Sequence, residues 1–253
     1  MALNQAGANN LRYDDVVRRT FTPGRSGSLQ LDMLAAPRAF GFVSYPIQST
    51  IQDLLELNLE QHSPIVLLNL SFQWLPLWHY ALITGHNTAQ RSVYITSGTS
   101  AREEMSISTF MRLWERADCW AMTVRRPGNI PSKVTAEAAE VASVAFERIN
   151  PVGLAIQQWE ALTRRWPQRL LPWLGLSHAQ IRATHWDQAL VTLMHTTQHF
   201  DSAVAWNNLS EVYSAKGDRQ RALHAINRGL DIARSKEPSW IEALEKTRAS
   251  IQE

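Results

Sequence analysis

The chain has 253 residues, long enough for two modest domains that each bury a core. Hydrophobic residues at 45% and charged residues at 19% exclude a disordered chain, and a net charge of +2 without a dense Lys/Arg block argues against nucleic acid as a partner. The single cysteine, Cys119, excludes an internal disulfide, and no apolar run reaches membrane-spanning length.

Residues 2–6 read as the tail of a helix, stopped by Gly7 and the pair Asn9-Asn10. That helix starts without a cap, so an earlier helical segment upstream of Met1 is expected. Residues 13–20 form a short charged helix. Thr22-Pro23-Gly24-Arg25-Ser26-Gly27 is a turn-rich loop, Ser28 is the expected N-cap of a helix over 29–40, and 41–46 is a strand. Ser49 is the expected cap of an amphipathic helix over 51–60, with Ile51, Leu54, Leu55 and Leu59 on one face.

The stretch 64–98, PIVLLNLSFQWLPLWHYALITGHNTAQRSVYITSG, organises the first half. It reads as strands over 64–70, 80–85 and 91–96, with 86–90 as a polar turn. One polar residue, His79, opens the middle run. A histidine at a strand mouth is held rigidly with one ring edge reachable, which suits a general base; the same pattern also suits a hydrogen-bonded histidine at a strand end. A helix over 106–116 and a strand over 119–124 follow, an α+β order with an antiparallel sheet. The first domain is therefore expected over 1–124, and RRPGNIPSK within 125–134 is the expected linker.

Residues 135–253 change character: helix pairs recur and no run reads as a strand. Ala155, Ala189 and Ala222 stand 34 and 33 residues apart, and four residues after each comes Trp159, Leu193 or Ile226. Trp173 and Leu176 precede the second alanine; Trp206, Leu209, Tyr213 and the turn residue Gly217 precede the third. The pattern resembles the tetratricopeptide repeat (TPR), in which small residues let paired helices touch and large ones fill the gaps. The first unit opens on Ala139, Ala142 and Phe146; in the second, Gln180 replaces an aromatic and Thr184 the turn glycine. A last helix over 240–251 caps the stack.

LLNLSFQWLPLWHYALITGHN followed by VYITSGT, with RSGSLQLDMLAAPRAFGF upstream, resembles papain-like cysteine peptidases of the bacteriocin-processing type, and more narrowly a bacterial subgroup fused to C-terminal TPRs. The resemblance implies a papain-like α+β fold over 1–124, His79 as the general base and no cofactor or metal. A nucleophilic cysteine in a Cys-Gly-Pro helix start would lie upstream of Met1, because that motif and the oxyanion glutamine are absent from this chain. The family's orienting Asp is replaced within Ser97-Gly98-Thr99, which makes Ser97 the candidate orienter; Asn87 and Asn69 are alternatives. The subgroup's frequent secretory signals imply export for a longer protein and the cytoplasm for the chain as written.

Cys119, entering an apolar strand, reads as packing rather than a replacement nucleophile. His195 and His199 stand at i,i+4 metal-ligand spacing, yet no third ligand accompanies them and a packed pair is the plainer reading. Arg164, Arg165, Arg169 and Arg182 read as a solvated basic face, and the tryptophans as inter-helix packing. Two functions stay open: a cysteine peptidase whose repeats present a peptide, and a catalytically inactive peptidase fold acting through its repeats as an interaction module.

Overall fold

The most apolar runs of the first half pair with one another. A short ribbon, β1 (Phe21–Thr22) with β2 (Gly27–Ser28), precedes a six-stranded sheet of β3 (Val43–Ile47), β4 (Ile65–Asn69), β5 (Trp78–Asn87), β6 (Ser92–Ser97), β7 (Ser100–Ser106) and β8 (Ala121–Arg125). Its order is β3-β8-β4-β5-β6-β7, with every pairing antiparallel. The computed structural model that gives this topology describes residues 1–8, 11–22, 24, 27–48, 50–97 and 100–253. Asn9, Asn10, Pro23, Arg25, Ser26, Ser49, Gly98 and Thr99, named above as turn, cap or orienting positions, lie outside the described residues.

The sheet is covered on both faces. Side chains alternate along a strand, yet Val66, Leu67 and Leu68 of β4 are all buried. On one face Met122 and Val124 pack with Leu3, Phe42, Met33, Leu34 and Ile65, contributed in part by α1 (Ala2–Gln5) and α3 (Gln30–Ala35), with Val16 of α2 (Tyr13–Thr20) at the margin. Elsewhere α4 (Ile51–Leu59) packs on β5 and α5 (Ile107–Glu115) on β4, burying Leu54, Leu57, Phe110 and Trp114 completely. Each such side chain contributes about 1.5–3 kcal/mol of transfer free energy. The Trp114 indole N–H donates to the Trp120 carbonyl at 2.9 Å, and the Asn58 amide donates to the Ile83 carbonyl at 3.0 Å, so these polar groups enter the core satisfied.

Several local expectations change. Ser28 is a β2 residue, and the helix expected over 29–40 runs as α3 and then a 3₁₀ turn, Ala36–Phe40. Pro37 has no N–H to give the Met33 carbonyl, so the α-helical ladder stops ahead of it. Thr50 caps α4 through a reciprocal box: its hydroxyl accepts from the Asp53 N–H while the Asp53 carboxylate accepts from the Thr50 N–H. β7 was not expected at all. It is an edge strand whose Arg102, Glu103 and Glu104 are exposed, the charge pattern that keeps an edge from pairing with other chains.

The chain divides into two units, Met1–Asn150 and Pro151–Glu253. The division falls past the 125–134 segment expected as the linker. That segment is tied down: Arg125 is a β8 residue, and Lys133 is paired with Asp53 at 3.1 Å and Glu56 at 2.5 Å. The helix expected to open the first repeat, α6 (Ala136–Glu147), is capped by Thr135, buries Ala139, Ala142 and Phe146, and packs on β3 of the first unit.

The second unit is an all-helical, TPR-like stack of α7 (Val152–Arg165), α8 (Leu170–Arg182), α9 (Trp186–His199), α10 (Ala203–Ala215), α11 (Arg219–Lys236) and α12 (Ile241–Gln252). Consecutive helices pack together, and α10 also touches α8 and α12, as stacked hairpins require. Ala155, Ala189 and Ala222 are buried, with Trp159, Leu193 and Ile226 filling the spaces beside them. Gly175 marks the closest approach: a Cβ there would meet the Trp159 ring at 2.5 Å.

Candidate functional site

His79 is the second residue of β5, paired across the ladder with Leu68 of β4. It is half-buried and, among the described residues, its imidazole has no hydrogen-bond or ion-pair partner. Ser97 ends β6, one residue past Thr96, which pairs with Leu82 of β5. The antiparallel register thus sets His79 and Ser97 at the same end of two neighbouring strands.

The other orienting candidates are occupied elsewhere. Asn87 lies at the far end of β5, eight residues from His79 and so roughly 26 Å along the strand. Its side chain closes the β5–β6 turn, donating to Gln90 Oε1 at 3.1 Å and accepting from the Gln90 N–H at 3.2 Å. Asn69 is buried and locks the β4–β5 connection: its Oδ1 accepts from the N–H groups of Ser71 and Leu77 at 3.1 and 3.0 Å, and its Nδ2 donates to the Phe72 carbonyl at 3.4 Å.

Cys119 sits in the turn between α5 and β8, with a left-handed φ of +51°. Leu67 of β4 donates its N–H to the Trp120 carbonyl, so the β8 side of the ladder reaches β4 beside Cys119, while His79 pairs with β4 from the other side. A whole strand separates thiol and imidazole. Two strand spacings put their backbones roughly 10 Å apart, where a nucleophile and its base need hydrogen-bond contact. Burial, then Glu115 and Asp118, pushes the Cys119 thiol up from its ordinary value, the opposite of activation.

Beside this strand end lies a cavity of about 320 Å³ lined by Ser28, Gln30, Leu67, Trp78, Tyr80 and Asp118, among others. Tyr80 donates its hydroxyl to the Ser28 carbonyl at 3.2 Å, and burial, with Asp32 adding to it, pushes the phenol up to about 12. His79 alternates with Trp78 and Tyr80 and so points away from this cavity.

In the second unit the His195–His199 pair forms a column with Trp173. Ring centroids are 4.1 Å apart for Trp173–His195 and 4.2 Å for His195–His199, and His199 Nδ1 hydrogen-bonds to the His195 carbonyl at 2.8 Å. Burial and then His199 hold the His195 imidazole below its ordinary value. No group of three His, Cys, Asp or Glu side chains among the described residues could hold a metal ion. The basic face is largely engaged: Arg164 reaches Glu160 at 3.9 Å and Arg165 stacks over Trp166 at 4.7 Å.

A groove of about 370 Å³ lies within the stack, of the kind stacked helices leave, and sequence reasoning did not single out its lining residues as a site. Met194, Trp206, Leu209 and Tyr213 give it apolar walls, and Gln198, Arg221 and His224 add polar ones; Arg221 lies 5.8 Å from the Tyr213 ring centroid. These residues come from α9, α10 and α11, and the repeat period marks their cores rather than this shared surface.

No family model matches the sequence. No curated protein matches it either. Solved structures to which it is similar include the TPR2B domain of yeast Sti1 in its pHsp70 complex, at 12% identity over 46% of this chain and 95% of that one, TM-score 0.44. The type III secretion chaperone SycD of Yersinia enterocolitica, with a peptide of the translocator YopD, gives 13% identity over 46% of this chain and 91% of that one, TM-score 0.42. A thermophilic TPR protein of Thermus thermophilus gives 19% identity over 47% of this chain and 64% of that one, TM-score 0.39. The repeat architecture itself rests on the chain's own helix pairs and 33–34-residue period.

Proposed function

We propose that this chain is an interaction protein, with a papain-like, catalytically inactive first unit and a TPR-like stack that binds a peptide or protein segment. The observation that carries it is β4, standing between His79 and the only thiol in the 253 residues. Without a thiol in contact, the imidazole has no S–H proton to take and there is no thioester for an activated water to hydrolyse. In this reading His79 and Ser97 are the remaining positions of a catalytic arrangement. Binding falls to the groove of Met194, Trp206, Leu209 and Tyr213, whose apolar floor takes side chains of the bound segment while Gln198, Arg221 and His224 meet its polar groups.

The second reading, a cysteine peptidase with His79 as general base and Ser97 as orienter, is favoured by their shared sheet end. It requires a thiol beyond Cys119. One experiment separates the two. The chain is panned against a displayed random-peptide library, and enriched peptides are incubated with it and assayed for cleavage. Enrichment without cleavage, lost in Met194→Glu, is the expected result. Cleavage abolished by His79→Ala would establish the peptidase instead, and a lack of enrichment would remove the binding reading.

A further inference from the structure

The β4–β5 connection, with the first residue of β5, carries a set of apolar side chains that the sheet leaves exposed and the groove of the second unit does not use. Leu70, Phe72, Trp74, Leu75, Leu77 and Trp78 are 41%, 61%, 79%, 60%, 59% and 53% exposed, although all are large and apolar. Exposure climbs from Leu70 to Trp74 and falls again to Trp78, as it does along a projecting tip. Isolated exposed apolar residues need no explanation, but six within nine consecutive positions form a patch that signals an interaction.

The tip is held in shape. Leu70 donates its N–H to the Leu77 carbonyl at 2.9 Å, and Leu75 donates to the Phe72 carbonyl at 3.2 Å. The Asn69 amide takes up the N–H groups of Ser71 and Leu77 and meets the Phe72 carbonyl, while Arg116, the C-cap of α5, donates to the Ser71 carbonyl at 2.8 Å. Phe72 and Trp74 stack at 5.8 Å.

We propose that this hairpin is an interfacial membrane anchor that inserts Phe72, Trp74 and Leu75 among the headgroups and upper acyl chains of a lipid bilayer. Three observations select lipid over a protein surface. Residues 70–78 contain no charged side chain, so nothing ionised has to leave water. The backbone groups named above are bonded within the unit, which lowers the cost of taking the hairpin out of water. The composition is Trp, Phe and Leu at the tip, the side chains that favour a bilayer interface, while the charges at its base are mixed: Arg116, bonded to Ser71, is flanked by Glu115 and Asp118. No described helix is long and apolar enough to cross a membrane.

The test uses the full chain with phosphatidylcholine vesicles, and with phosphatidylcholine vesicles containing phosphatidylglycerol. Wild type should co-sediment with both and stay bound when salt is raised, because insertion is apolar. Trp74→Ser/Leu75→Ser should weaken partitioning by about tenfold or more. Val191→Ser, which removes an exposed apolar side chain on α9, should leave it unchanged. Bromine-labelled phosphatidylcholine should quench wild-type tryptophan fluorescence, a readout that does not depend on any variant folding. The proposal fails if wild type stays in the supernatant, if the double variant sediments equally well, or if labelled lipid quenches nothing. It fails too if wild type is a dimer, the double variant a monomer, and neither binds vesicles, since the occupant is then a second copy.

Discussion

Thr184→Gly should make the protein more stable, which few substitutions do. Thr184 and Gly217 hold the same place in successive repeats. Thr184 donates its N–H to the Ile181 carbonyl at 2.9 Å and His185 to Gln180 at 2.9 Å; Gly217 donates to Ser214 and Asp218 to Tyr213, both at 2.9 Å. These paired bonds form the Schellman motif, whose C′ residue takes a left-handed backbone. Gly217 does so at φ +79°; Thr184 is driven to +57°. A left-handed conformation costs an L-residue about 1–2 kcal/mol, and a β-branched side chain adds to the crowding. The Thr184 side chain is exposed and makes no hydrogen bond among the described residues, so its removal forfeits nothing comparable. Glycine's freer unfolded state gives back about 0.4–1 kcal/mol. The net gain is about 1 kcal/mol, a rise of roughly 0.5 M in the urea midpoint. The assay is equilibrium urea unfolding of the full chain, followed by circular dichroism at 222 nm (the helical band, so mainly the stack), with Gly217→Thr as the reverse variant. An unchanged or lower midpoint for Thr184→Gly, beside a clear loss for Gly217→Thr, would refute the strain argument.

Three further outcomes are expected. Asn69→Ala should cost about 1–3 kcal/mol, because two N–H groups of the β4–β5 connection lose a buried acceptor, and proteolysis should then cut within 70–77. Alkylation of Cys119 by iodoacetamide should be slow at neutral pH and rise only above the ordinary thiol range, since burial and two carboxylates raise its pKa; rapid labelling at neutral pH would contradict the bland reading of this residue. His195, whose pKa is lowered by burial and by His199, binds fewer protons folded than unfolded, so stability should fall as pH drops below about 6.5 toward its folded value. His195→Phe keeps a ring beside Trp173 and should flatten that part of the stability–pH curve, while an unchanged slope would assign it to other groups, His62 among them, whose pKa burial also lowers.

Sequence alone determined whatever depended on neighbours within a turn or on strict periodicity. The runs of β4, β5, β6 and β8, the helices α4 and α5, and the 33–34-residue repeat were legible because each buries a face that its own spacing encodes. So was the substitution of Thr184 for a turn glycine. Tertiary structure decided the rest. β7 is unreadable because an edge strand buries too little for its Ser-Ala-Arg-Glu-Glu-Met-Ser sequence to show a pattern. α6 has the spacing of a repeat helix, yet packing on β3 places it in the first unit. The separation of Cys119 from His79 by β4 follows from strand order, which is set by pairing between segments far apart in the chain. The apolar hairpin was visible as letters, but its exposure was not, because hydrophobicity records a tendency to leave water and not whether the fold supplies a place to go.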